Sequence, residues 1–186
     1  MSDNETTDLV KALRQGDEQA FNRLVKLYQN KIYNLALNYV KQPEEAKDLT
    51  QDIFVTVYRS IAKLREDDKF TAWLFQVAIN HCRNRYKRLK NRGYFSSHSI
   101  DDPDTSIQLS SGDYPEKDLE RNNMINLVRS EIAAMAPAEK EILLLRDIQE
   151  LSYEEISAVL NVPLGTVKSK LNRARSTLKN RLQKIL

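Results

Sequence analysis

Apolar residues recur along most of this chain at intervals of three and four, the period of amphipathic helices. Thr7 to Gln15 forms a short amphipathic stretch ended by Gly16, and Asp17 then caps a long helix through Ala20, Phe21, Leu24, Val25, Leu27 and Tyr28. Ile32, Leu35, Ala36, Tyr39 and Val40 carry that period on to Lys41. Pro43 suits the first turn of a third helix, where Glu44 and Glu45 face the positive end of the helix dipole. Its apolar set, Ala46, Leu49, Ile53, Val57 and Ile61, predicts a helix to about Lys63. After the polar loop LREDDKF, Thr71 can cap a fourth helix through Trp73, Leu74, Val77 and Ala78 to Arg88.

From Gly93 to Asp118 the period vanishes and Ser, Asp, Pro and Gly dominate, which reads as a linker. Helical spacing resumes from about Leu119 to Ala134, with Met124, Leu127, Val128 and Ile132 inward. Pro137 opens another helix, with Ile142, Leu143 and Leu145 buried. Ser152 and Glu155 then form a capping-box signature for a short helix with Ile156, Val159 and Leu160 on one stripe. Asn161-Val162-Pro163 stops it, because Pro163 lacks a donor and Asn tolerates the left-handed conformation. A last helix starts near Gly165-Thr166, with Val167, Leu171, Ala174 and Leu178 inward. The pattern predicts an all-α protein of two small helical domains, 1–92 and 119–186, joined by a flexible acidic linker, 93–118.

Charge changes the picture more than composition does. The 186 residues are 41% hydrophobic and 30% charged with a net charge of +3, which conceals strong segregation. No acidic residue follows Glu155, so the last helix has no acid of its own to pair with Lys168, Lys170, Arg173, Arg175 and Lys179. A charge run is most often a solvated face. Here the capped short helix, the Pro corner and the one-sided charge occur together, the form of a helix-turn-helix whose second helix enters the major groove. Likewise no acid lies between Asp68 and Asp101, while Lys69, Arg83, Arg85, Lys87, Arg88, Lys90 and Arg92 are interleaved with Phe70, Trp73, Phe75 and Tyr86. Cations among rings suit single-stranded nucleic acid, and Asn80 and Asn84 bring amides able to read an exposed base edge. On the third helix Asp48, Gln51, Asp52, Val55 and Arg59 share a face bordered by Phe54 and Tyr58, which fits either a docking surface or a plain solvated one.

Several classes are excluded. No run of about eighteen apolar residues could span a membrane, and the start MSDNETTD is unlike a secretory signal, so an intracellular, cytoplasmic protein is expected. The single cysteine, Cys82, and two histidines make no metal set, and four glycines form no phosphate-cradling pattern, so no cofactor or small-molecule substrate is expected. An enzyme acting on nucleic acid would need clustered carboxylates beside the basic faces, and there are none.

Three segments in order, DLTQDIFVTVY, FTAWLFQVAINHCRNR and LSYEEISAVLNVPLGTVKSKLNRAR, resemble bacterial sigma factors of the extracytoplasmic-function type, and the resemblance covers nearly the whole chain. It implies a promoter-specificity subunit of RNA polymerase. On that resemblance Asp48, Gln51, Asp52, Phe54 and Tyr58 dock on core polymerase. Lys69, Phe70, Trp73, Asn80, Arg83 and Asn84 meet the melted −10 strand around a flipped base. Thr166, Lys168, Ser169, Asn172 and Arg173 read the −35 duplex, while Lys170 and Arg175 serve phosphates or packing. It further implies a partner anti-sigma factor. Family members often carry Gly where Glu150 and Asn161 stand here. The alternative is a stand-alone helix-turn-helix regulator, which would need a dimer and a symmetric operator; the chain offers no obvious coiled-coil seam for one.

Overall fold

The computed structural model describes residues 3–93, 124, 127, 128 and 130–185, and every regular element among them is helical. The chain divides into two compact units. The expected linker, apart from Gly93, and most of the helix expected from Leu119 lie outside the described residues.

The first unit holds α1 (Asp3–Arg14), α2 (Glu18–Val40), α3 (Pro43–Ser60) and α4 (Phe70–Asn91). Gly16, at φ 93°, turns the chain between α1 and α2, and the Asp17 carboxylate accepts the N–H groups of Gln19 (2.8 Å) and Ala20 (3.3 Å). These satisfy donors that the first helical turn leaves without partners. At the other end of α2, Lys41 takes the left-handed conformation, and Pro43 opens α3.

α2 packs against α1, α3 and α4. Its Leu24, Ile32 and Leu35 meet a core that includes Leu49 and Ile53 of α3 and Phe70, Leu74, Phe75 and Ile79 of α4, all essentially inaccessible. Burying each such side chain contributes about 1.5–3 kcal/mol. α3 is shorter than its apolar period predicts: a 3-10 turn, Ile61–Lys63, replaces its last residues.

α4 departs from expectation at both ends. It emerges at Phe70 directly from a 3-10 turn, Asp67–Lys69, and no side chain caps it. The Thr71 hydroxyl, expected as the cap, instead shares a 2.8 Å hydrogen bond with the Tyr28 hydroxyl on α2. Because the 3-10 turn already continues the helical path, no extended N-cap residue precedes α4. The helix also runs three residues past Arg88, to Asn91.

In the second unit residues 130–133 are helical, followed by α5 (Pro137–Leu143), which widens into a π turn at Leu144–Ile148. Then come α6 (Tyr153–Leu160) and α7 (Leu164–Leu182). Ile142, Leu143, Leu144 and Leu145 are all buried, four successive positions that cannot share one face of a helix. At Met124 the outcome differs from the expected inward position: the side chain is 44% exposed. Glu150 takes a left-handed φ of 62° after the π turn.

Ser152 and Glu155 make the full capping box: Glu155 Oε2 accepts the Ser152 N–H (2.7 Å) and Ser152 Oγ accepts the Glu155 N–H (3.1 Å). Asn161 ends α6 at φ 52°, and the Ser157 hydroxyl donates to the Val162 carbonyl (2.6 Å) across the corner. α7 begins one residue earlier than the spacing indicates, at Leu164, with Val167, Leu171 and Ala174 buried beneath it.

Ser152→Ala removes one arm of the box and is expected to destabilise the second unit by about 1 kcal/mol in urea denaturation, with Ser152→Thr near wild type. Glu150→Gly relieves a left-handed non-glycine residue and is expected to raise stability by about 0.5–1 kcal/mol in the same assay.

Candidate nucleic-acid interface and docking groove

α7 carries two kinds of cation. Toward its C-terminal end Arg175 makes a bidentate pair with Asp147 of the π turn, its Nε donating to Oδ2 at 3.2 Å. The Thr177 hydroxyl donates to Glu139 (3.1 Å) and Arg181 Nε to Glu131 (2.7 Å). These acids precede α6 in the chain, so a tertiary partner neutralises what the helix itself lacks. Arg175 thereby ties α7 to the π turn, with its Nε and Nη2 engaged. Toward the N-terminal end Lys168, Lys170 and Arg173 are exposed and face no carboxylate among the described residues. Ser169 and Asn172 are exposed beside them, while Thr166 is half-buried. The five expected base-reading residues thus cluster in the first half of α7, at the end a major groove admits.

On α4 the helical rotation of about 100° per residue puts Trp73, Asn80, Arg83, Asn84 and Lys87 on one stripe. Asn80, Arg83, Asn84 and Lys87 are exposed and Trp73 is half-buried. Lys69, at the foot of the helix, pairs with Asp68 at 3.6 Å, both largely solvated. Phe70 lies elsewhere: it is 1% exposed, with its ring between Tyr28 (centroids 5.8 Å apart) and Trp73 (6.1 Å). No base can stack on it, so it supports Trp73 from below. Burial holds the His81 imidazole below its ordinary pKa, against the pull of Asp52 and with added depression from Arg85 and Arg88. It is neutral near pH 7 and adds no charge to the basic face.

The five candidates on α3 point three ways. Gln51, Phe54 and Tyr58 line an open groove of about 820 Å³ between α2 and α3, together with Phe21, Val25, Tyr33 and Val55. Phe54 is 7% exposed and forms its floor, whereas Tyr58 is 44% exposed and packs its ring on Phe21 (centroids 4.9 Å apart). Asp48 is exposed on α3 outside the groove lining. Asp52 turns the other way, to α4, where its carboxylate accepts from Arg85 at 2.9 Å. An apolar, partly aromatic trough with polar rims suits a ridge of side chains from another protein.

Sequence reasoning missed the α2 wall of this groove. Phe21 and Val25 share the helical period of the core, yet both are only half-buried. Periodicity carries no mark separating a residue under another helix from one beside it. Arg85 was counted with the basic run and is in fact turned into the protein, bonding Glu45 and Asp52. No signal in a run of cations distinguishes that one.

Comparison with known proteins finds two families along the chain. The Sigma-70 region 2 family matches residues 24–92, and the Sigma-70 region 4 family matches residues 125–178. The chain is 32% identical over 182 residues to the ECF RNA polymerase sigma-E factor of Haemophilus influenzae, covering 96% of this chain and 95% of that protein. It is 32% identical over 193 residues to the RNA polymerase sigma-H factor of Pseudomonas aeruginosa, covering 100% and 98%. The fold is similar to that of CnrH, solved in complex with the cytosolic domain of CnrY, with a TM-score of 0.72, 20% identity and coverage of 97% and 98%. It is also similar to the sigma factor RpoE of Bartonella quintana, solved with the anti-sigma factor NepR, with a TM-score of 0.61, 22% identity and coverage of 88% and 96%. With two sigma-70 regions in order and full-length relatives at this identity, the chain belongs to the extracytoplasmic-function RNA polymerase sigma factors of the sigma-70 family.

Proposed function

We propose that this chain works in the cytoplasm as the promoter-specificity subunit of bacterial RNA polymerase, through residues 1–92 for core docking and −10 DNA and residues 119–186 for −35 DNA. Residues 93–118 connect the two, and the chain contributes recognition rather than bond chemistry or a cofactor. The observation that carries the DNA reading is α7. Its C-terminal arginines, Arg175 and Arg181, are paired within the protein, and its N-terminal cations are left for an outside polyanion. Lys168 and Lys170 suit phosphates, while Arg173, with Asn172, Ser169 and Thr166, suits base edges.

Core polymerase takes the α2–α3 groove, with Gln51, Tyr58 and Asp48 as contacts and Phe54 as floor. The α4 stripe takes the melted −10 strand: Asn80 and Asn84 read a flipped base, and Lys69, Trp73 and Arg83 hold backbone and neighbouring bases. Flipping one base costs a few kcal/mol of stacking and pairing, which these contacts offset without ATP. An anti-sigma factor that covers these faces would switch the chain off; the likeness to a sigma factor solved with its anti-sigma factor supports this form of control.

Run-off transcription by bacterial core polymerase from random promoter templates tests the whole assignment. Transcripts that require this chain, from templates sharing two short elements at fixed spacing, are expected; none at all would overturn it. On a promoter so recovered, Arg173→Ala should weaken use by about 1–3 kcal/mol and relax specificity at one −35 position, whereas equal loss on every sequence would mark a phosphate contact. Tyr58→Ala with Gln51→Ala should weaken core affinity by about tenfold or more in a fluorescence titration, leaving −35 duplex binding by the chain unchanged.

A further inference from the structure

We propose that Arg85 is a positioning residue that sets the rotation of the DNA-facing stripe of α4 against α3; the proposal rests on the assignment of that stripe to −10 DNA. Its Nη1 donates to Glu45 Oε2 at 2.5 Å and its Nη2 to Asp52 Oδ2 at 2.9 Å. Glu45 and Asp52 lie seven residues apart, two turns along the same side of α3. One guanidinium therefore spans two turns of the facing helix. A planar fork presents these donors in a fixed geometry, whereas a lysine ammonium is a compact charge on a flexible stem.

Three further facts separate Arg85 from its basic neighbours. Its side chain is 17% exposed, against the open surface of Lys87 and Arg88. Its Nε is buried with no acceptor among the described residues, so only its terminal nitrogens are engaged. And both terminal nitrogens already donate to acids of its own protein.

The rotation matters because of distance. Arg85 sits about 140° around α4 from Asn80, so the bridge clamps one flank of the helix while the reading stripe stands on another. A turn of about 20° would carry the tip of a side chain at about 5 Å from the axis by roughly 2 Å. That exceeds the tolerance of a hydrogen bond to a base edge. Asp52 belongs to this bridge, so its substitution would disturb −10 recognition through Arg85.

The test compares holoenzymes carrying wild-type chain, Arg85→Ala, Arg85→Lys and Asn80→Ala. For each, affinity for core polymerase is measured, then affinity for the single-stranded −10 oligonucleotide of a promoter recovered by run-off transcription, at several salt concentrations. Both Arg85 variants should lose about tenfold or more in strand affinity, with core affinity within about twofold and an unchanged salt slope. Wild-type strand affinity in Arg85→Lys, or a slope smaller by about 0.7, would mean that the charge meets a phosphate and would overturn the proposal. So would a parallel loss of core affinity, which marks a general role in the fold. If Asn80→Ala binds poorly while both Arg85 variants bind like wild type, only the positioning role falls. If Asn80→Ala is equally silent, the −10 assignment of α4 falls and takes this proposal with it.

Discussion

Pairing between carboxylate and guanidinium inside each unit decides which surfaces are left positive. A guanidinium bonded to its own protein's acids has part of its charge and donors already engaged, so each internal pair weakens that cation's claim on a phosphate relative to its unpaired neighbours. On α7 Asp147 and Glu131 occupy Arg175 and Arg181 and leave the N-terminal cations exposed. On α4 Glu45 and Asp52 occupy Arg85 and leave Asn80, Arg83, Asn84 and Lys87 outward. In both helices the same pairs also tie the helix to its neighbour, so electrostatic selection and orientation come from one set of contacts. Partly exposed pairs of this kind contribute little stability individually; their effect here is geometric.

Stability comes from elsewhere. α2 gathers the core of the first unit, and its apolar stripe is wide enough to meet three helices. The Tyr28 hydroxyl joins Thr71 and lies 3.4 Å from that of Thr6, while its ring meets Phe70, so one residue links α1, α2 and the start of α4. That arrangement buries Phe70 and leaves Trp73 half-exposed above it, a rigid base for the proposed strand-binding face. The groove on the other side of α3 follows from geometry: α2 and α3 close over their inner faces, and among the described residues no further helix lines the groove beside Phe21, Val25 and Tyr58.

Much of this was legible because local chemistry dictates it. The helical period, Pro43 and Pro137 at first turns, the Asp17 cap and the Ser152–Glu155 box each involve residues within one turn, and each holds in the structure. Glu150 and Asn161 take left-handed positions without being glycine, so the backbone demand persists when the residue favoured for it is absent. The Thr71 cap failed for a nonlocal reason: Tyr28, forty-three residues away, bonds its hydroxyl.

By itself, then, the sequence determined the all-helical class, the two modules, the capped corner before α7 and the segregation of charge, because helical period and composition are properties of neighbours in the chain. Tertiary structure alone decided which member of each class does what. Phe70 became core and Trp73 stayed at the surface; Asp52 turned to α4 while Gln51 and Tyr58 turned to the groove; Arg85 and Arg175 were drawn into pairs while Arg173 was left facing out. Residues of one type on one helix are equivalent until another helix lies against some of them, and which ones it covers depends on packing between segments tens of residues apart.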